Sequence, residues 1–116
     1  MDSDSILTSI KKLLGIAEED ENFDMDIVMH INTVLLTLTQ LGVGPPDGFA
    51  IMDDQARWSD FLSNSKQFEA VKTYVFLKVR LLFDPPQSSS VIEAMNRSIS
   101  ELEWRINLTA ETVQKE

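Results

Sequence analysis

The sequence predicts an all-α fold, a bundle of about four helices with a long irregular connection between the second and third. Three observations predict it. Apolar residues recur at steps of three and four in four separate stretches. Residues that start or stop helices bracket each stretch. The length, 116 residues at 43% hydrophobic content, makes one domain able to bury its own core.

The first helix is expected from Ser5 to Leu14, with Ile6, Leu7, Ile10, Leu13 and Leu14 on one stripe and Gly15 as its stop. Lys11 and Lys12 fall in the last turn, where the helix dipole favours cations. The acidic run Glu18-Glu19-Asp20-Glu21 follows as a loop. A second helix is expected from Asp24, whose carboxylate can cap free N–H groups while Asp26 adds charge to the first turn. Ile27, Val28, Ile31, Val34, Leu35, Leu38 and Leu41 continue it to Gly42. His30 lies off that stripe, four residues after Asp26, and reads as a surface partner of that acid rather than a ligand.

Residues 42–48, Gly-Val-Gly-Pro-Pro-Asp-Gly, cannot be helical. Phe49–Met52 reads as briefly extended, and Trp58, Phe61 and Leu62 suggest one or two helical turns. A connection this long is either functional or tied down by its aromatics, and both readings stand. The third helix is expected over 66–83. Phe68, Val71, Val75, Val79 and Leu82 form one face and Tyr74, Leu77 and Leu81 another, which makes it the central helix. Asp84-Pro85-Pro86 stops it. Ser90 and Glu93 form a capping-box pattern for the fourth helix. There, Ile92, Met95, Ile99, Leu102 and Ile106 make a heptad-like seam that Val113 extends. Apolar density falls from Asn107, so residues 107–116 read as a flexible tail.

Composition excludes much. With no cysteine there is no disulfide framework or thiolate metal site, and a single histidine leaves little for a zinc site or a triad. No apolar run approaches the ~18 residues of a membrane span, and the acidic start lacks the order of a secretory signal. Ten bases against nineteen acids leave a net charge of −9. All of the excess lies in residues 1–60, which hold twelve acids and three bases; residues 61–116 hold seven of each. Such a chain is a poor ligand for nucleic-acid phosphates and for an acidic membrane. No phosphate-binding glycine motif is present, the paired carboxylates lie in predicted loops, and the acidic run lacks the spacing of a calcium loop. No enzyme, cofactor or metal is expected.

Four pieces in order carry a resemblance: Ile10-Lys-Lys-Leu-Leu-Gly-Ile16, Phe23-Asp-Met-Asp-Ile27 with His30-Ile-Asn32, Leu81-Leu-Phe-Asp-Pro-Pro86, and Glu101-Leu-Glu-Trp-Arg-Ile-Asn107. Together they resemble the head–tail connector proteins, also called head-completion or adaptor proteins, of long-tailed bacteriophages and prophages. The resemblance spans residues 5–108. It implies a helical, non-enzymatic virion subunit without cofactor, made in the host cytoplasm and built into the head–tail interface. There the family forms a homo-oligomeric ring, about twelve copies, beneath the portal protein. The ring extends the channel through which duplex DNA passes without specific binding, and receives stopper or tail-completion proteins.

By position in the chain, the resemblance puts the portal contact in 107–116, with Asn107, Leu108 and Val113 as candidates. Pro45, Pro46, Phe49 and Trp58 are candidate loop or subunit contacts. Phe83, Asp84, Pro85, Pro86, Glu101, Trp104 and Arg105 are expected to set the fold: Asp84 turns the chain, Trp104 fills the bundle's end, and Arg105 pairs with Glu101. An acidic channel wall would let phosphates slide rather than hold them. One alternative stays open, an acidic regulatory protein that inhibits a basic nucleic-acid enzyme.

Overall fold

The computed structural model describes the backbone of residues 4–63 and 65–115 and the side chains of 4–63 and 66–110. Helix α1 spans Ile6–Leu13, α2 Asp24–Gln40, α3 is the single turn Trp58–Phe61, α4 spans Phe68–Phe83 after a 3₁₀ turn at Ser65–Gln67, and α5 spans Ser89–Lys115. The four long helices are those the sequence predicts. Central in the bundle, α4 packs against α2 and α5 and touches α1. Its buried Val71, Tyr74, Val75 and Val79 meet Ile27, Ile31, Val34, Leu35 and Leu38 of α2, Ile6 and Ile10 of α1, and Ile99, Ile106 and Ala110 of α5 in one core.

The start of α1 is capped by Ser5, whose Oγ accepts from Thr8 N–H at 3.2 Å. Lys11 does more than complement a dipole. It is 2% exposed, and its ammonium donates to the carbonyls of Glu18 at 2.9 Å and Asp20 at 2.8 Å. Asp24 Oδ1 lies 2.8 Å away, an ion pair rather than an aligned hydrogen bond. The acidic loop is thus wrapped around one cation, carbonyls inward, with Glu18, Glu19 and Glu21 exposed. Asp24, expected as the cap of α2, is its first helical residue instead; Phe23 holds the cap position without a side-chain hydrogen bond. The carboxylate is committed to Lys11.

Residues 42–63 form no strand at Phe49–Met52, and they are tied down along their length. Val43, Ile51, Trp58 and Phe61 are buried. Asn32 of α2 clamps the loop by both edges of its amide: Ile51 N–H donates to Oδ1 at 2.8 Å and Nδ2 donates to the Ile51 carbonyl at 3.0 Å. Ser5 Oγ donates to the Asp54 carbonyl at 2.8 Å. Ile6 N–H donates to Ala56 O and Trp58 N–H to Asp4 O, so Ser5 and Arg57 form an isolated β-bridge. Gly44 has φ +83°, and a Cβ there would strike the Phe61 ring, so that position requires glycine on both counts.

Helix α4 stops at Phe83, where Asp84 N–H donates to the Arg80 carbonyl at 2.9 Å before the two prolines. The expected Ser90–Glu93 capping box does not form. Ser88 takes the cap position two residues earlier, its Oγ accepting from Val91 N–H at 3.4 Å and bonding Ser90 Oγ at 2.9 Å. Once Ser89 and Ser90 are helical, Ser90 can no longer cap. Beyond Asn107, where the apolar density falls, α5 continues to Lys115. Asn107 Nδ2 donates to the Leu41 carbonyl at 3.2 Å, one of the free carbonyls at the end of α2, and Ala110 is buried one turn later.

Candidate docking surfaces

Among the described residues, no three His, Asp or Glu side chains are grouped to hold a metal ion. No described helix is long and apolar enough to cross a membrane. What the surface offers is contact area.

Three of the four resembling pieces converge in space. Leu14 and Ile16, then Phe23, Asp26 and His30, then Phe83 and Asp84 line one depression at the junction of α1, α2 and α4. The Phe23 and Phe83 rings meet edge to face at 5.6 Å, and His30 sets its ring against Phe83 at 6.4 Å. His30 is therefore a half-buried aromatic neighbour rather than simply a surface partner of Asp26. Asp84 ends α4 and sits 3.9 Å from Arg80 Nε. Pro85 is exposed and Pro86 half-buried beside it.

The fourth piece behaves differently. Glu101, Trp104 and Arg105 are exposed, and Trp104, expected to fill the bundle's end, is 66% exposed. The reason is angular. Buried Ile99, Ile106 and Ala110, with partly buried Leu102, define the inner line of α5; Trp104 lies two residues beyond Leu102, about 200° around the helix. Leu108, one turn on, is also exposed. Arg105 donates to Glu101 Oε1 at 2.7 Å, the expected pair, out in solvent. On α5's other flank, Tyr74 is buried at its ring and donates from its hydroxyl to Glu103 Oε2 at 2.6 Å, with Lys78 Nζ 3.9 Å from the same oxygen. Burial, then the hydrogen bond and charge of Glu103, push the Tyr74 phenol well above its ordinary range.

The remaining candidates divide. Asn107 is spent on Leu41, and the Val113 side chain lies outside the described residues. Trp58 is 1% exposed, its Nε1 donating to Ser9 Oγ at 2.8 Å, so its indole anchors the loop. Phe49 is half-buried with its ring 5.3 Å from Phe61; Pro45 is half-buried and Pro46 exposed on a cleft shared with Ala110 of α5. One surface escaped the sequence reading: Met25 and Met29 of α2, with Met52, are 79%, 62% and 90% exposed. Their signal was the i, i+4 spacing off the buried stripe, but the loop partner Met52 is visible only in three dimensions.

Residues 6–113 match a family model described as phage connector protein. No curated protein and no solved structure matches the chain.

Proposed function

The chain belongs to the phage connector family, a structural component of the virion's head–tail interface that meets other virion proteins such as the portal, and from that premise we propose that it is an adaptor subunit that binds the portal through the outer face of α5. Copies assemble as a ring beneath the portal, extend the DNA channel, and present a far side to stopper or tail-completion proteins. Pro45, Pro46 and Phe49, on the tied-down loop, contact the next copy.

The observation that carries the portal contact is Trp104. A tryptophan two-thirds exposed on a long helix, with Leu108 exposed one turn away, is the residue type that dominates binding energy at interfaces. It also adjoins the C-terminal segment that the resemblance assigns to the portal. The outward carboxylates of Glu18, Glu19 and Glu21 support passage of DNA without capture, because they repel phosphates.

The test is binding of the purified protein to the portal ring encoded by the same genome, with copy number read by native mass spectrometry. Expected is saturation near one copy per portal subunit, and a loss of affinity of about tenfold or more in Trp104→Ala. This substitution is preferred to truncation after Ile106, which would also break the Asn107–Leu41 bond and expose the core beside Ala110. A folded protein that ignores the portal overturns the proposal.

A further inference from the structure

The exposed methionines lie on α2 and the loop rather than on α5 with Trp104, and nothing in the portal reading uses them. Met25, Met29 and Leu36 run along the solvent side of α2, with Leu36 59% exposed. From residue 25 to residue 36 the row covers about 17 Å, or three helical turns. Beside its N-terminal end the loop lays Met52, Asp53 and Asp54 against Met25, Val28 and Glu21 in a shallow cleft of 360 Å³.

This arrangement is built rather than incidental. The Asn32 clamp holds Ile51 on one side of Met52, and the Ser5–Asp54 bond holds the backbone two residues beyond it. Ile51 is buried, so the chain on either side is anchored while the Met52 side chain projects almost wholly into solvent. Thioether side chains are flexible and polarisable, and suit a face that must fit a partner's apolar row. The cleft's charge is of one sign. Glu21, Asp53 and Asp54 rim it, no lysine or arginine lines it, and Asp24, which also lines it, is already paired with Lys11.

We propose that this face of α2, with Met52, is a docking site for a cationic amphipathic helix of another polypeptide. Met25 and Met29 one turn apart, Met52 beside them and Leu36 two turns on match the apolar face of such a helix, and the carboxylate rim selects lysine or arginine on its flanks. A second copy of this chain is the poorer occupant. Its own exposed apolar row, Trp104 and Leu108 on α5, carries Glu101 beside Arg105 and is not cationic.

The methionines themselves report the binding. With methyl-labelled methionine, the probe is a synthetic leucine–lysine amphipathic peptide of about 18 residues, long enough to cover the row. Expected are shifts of the Met25, Met29 and Met52 methyls while Met95, on α5, stays in place. Asp53→Asn with Asp54→Asn, or salt raised to about 0.5 M, should weaken binding several-fold. Met29→Ser should weaken it about fivefold with unfolding unchanged. The proposal is overturned by no shift, by shifts spread equally to Met95, or by an equal response to a leucine–glutamate peptide. It is also overturned if the three methyls move on dilution of the protein alone, which would give the face to a second copy. None of these readouts involves the portal, so this inference and the portal contact can fail separately.

Discussion

Lys11 is the residue on which the first half of the chain is organised. Its stem is buried, and its ammonium donates to two loop carbonyls and forms an ion pair with Asp24, so one cation fixes the ten residues between α1 and α2. Removing one partner of a buried pair leaves the others desolvated and unmatched, and that costs more than the pair contributes net. Lys11→Met keeps the apolar stem and deletes the charge, and should lower stability by about 3 kcal/mol, part of the loss being spared because Asp24 retains some access to water. A urea titration measures this; an unchanged midpoint would mean the ammonium holds nothing together. Lys12, its neighbour, is exposed and serves as the contrast.

Between elements, the bond from Tyr74 to Glu103 joins α4 to α5 near the middle of both. It makes the α4–α5 contact sensitive to alkali. Because the folded phenol holds its proton to higher pH than the unfolded one, the unfolded state binds fewer protons above the ordinary phenol value of about 10. Stability from this group is therefore full below pH ~10 and falls as pH rises past it. Tyr74 is the only tyrosine, so phenolate absorbance reports it alone. The expected titration shows no ionisation until the helices unfold, and Tyr74→Phe should flatten the alkaline loss of stability. Ionisation near pH 10 with helical content intact would contradict the role. The end of α5 follows the same logic of joined elements: Asn107 closes on α2, and Gln67 Nε2 donates to the Ile106 carbonyl at 3.3 Å, so the last helix is tied to both ends of the loop region.

For the whole molecule, charge and packing are distributed differently. The core is shared by all four long helices, whereas the net charge of −9 belongs to residues 1–60. Most of those acids are exposed and lie near one another on the α1–α2 loop and on residues 53–60. Self-repulsion among them opposes folding and is screened by salt, while the buried Lys11 pair is screened little. Thermal unfolding at neutral pH should therefore shift upward by a few degrees between low and moderate sodium chloride. A shift downward would mean that attractive surface pairs outweigh the repulsion. With α2 and α5 both packed on α4, each of these helices keeps exposed apolar side chains, Trp104 on α5 and Met25 and Met29 on α2 with Met52 of the loop, and these are the two faces proposed for docking.

Sequence alone determined the helices and their order, because apolar spacing and terminators such as Gly15, Gly42 and Asp84-Pro-Pro act within a few residues. It also determined the resemblance, which the family match over 6–113 bears out. Tertiary structure decided which polar groups are spent and which are free. Nothing in the order of residues says that Lys11 turns inward while Lys12 does not, or that Asn107 reaches Leu41. Nor does it say that Trp58 is interior while Trp104 is not, since both are tryptophans near apolar neighbours. Burial depends on the angle at which one helix meets another, and a shift of two residues along α5 turns a side chain from the core to the surface. The candidate faces are what remains once those choices are made.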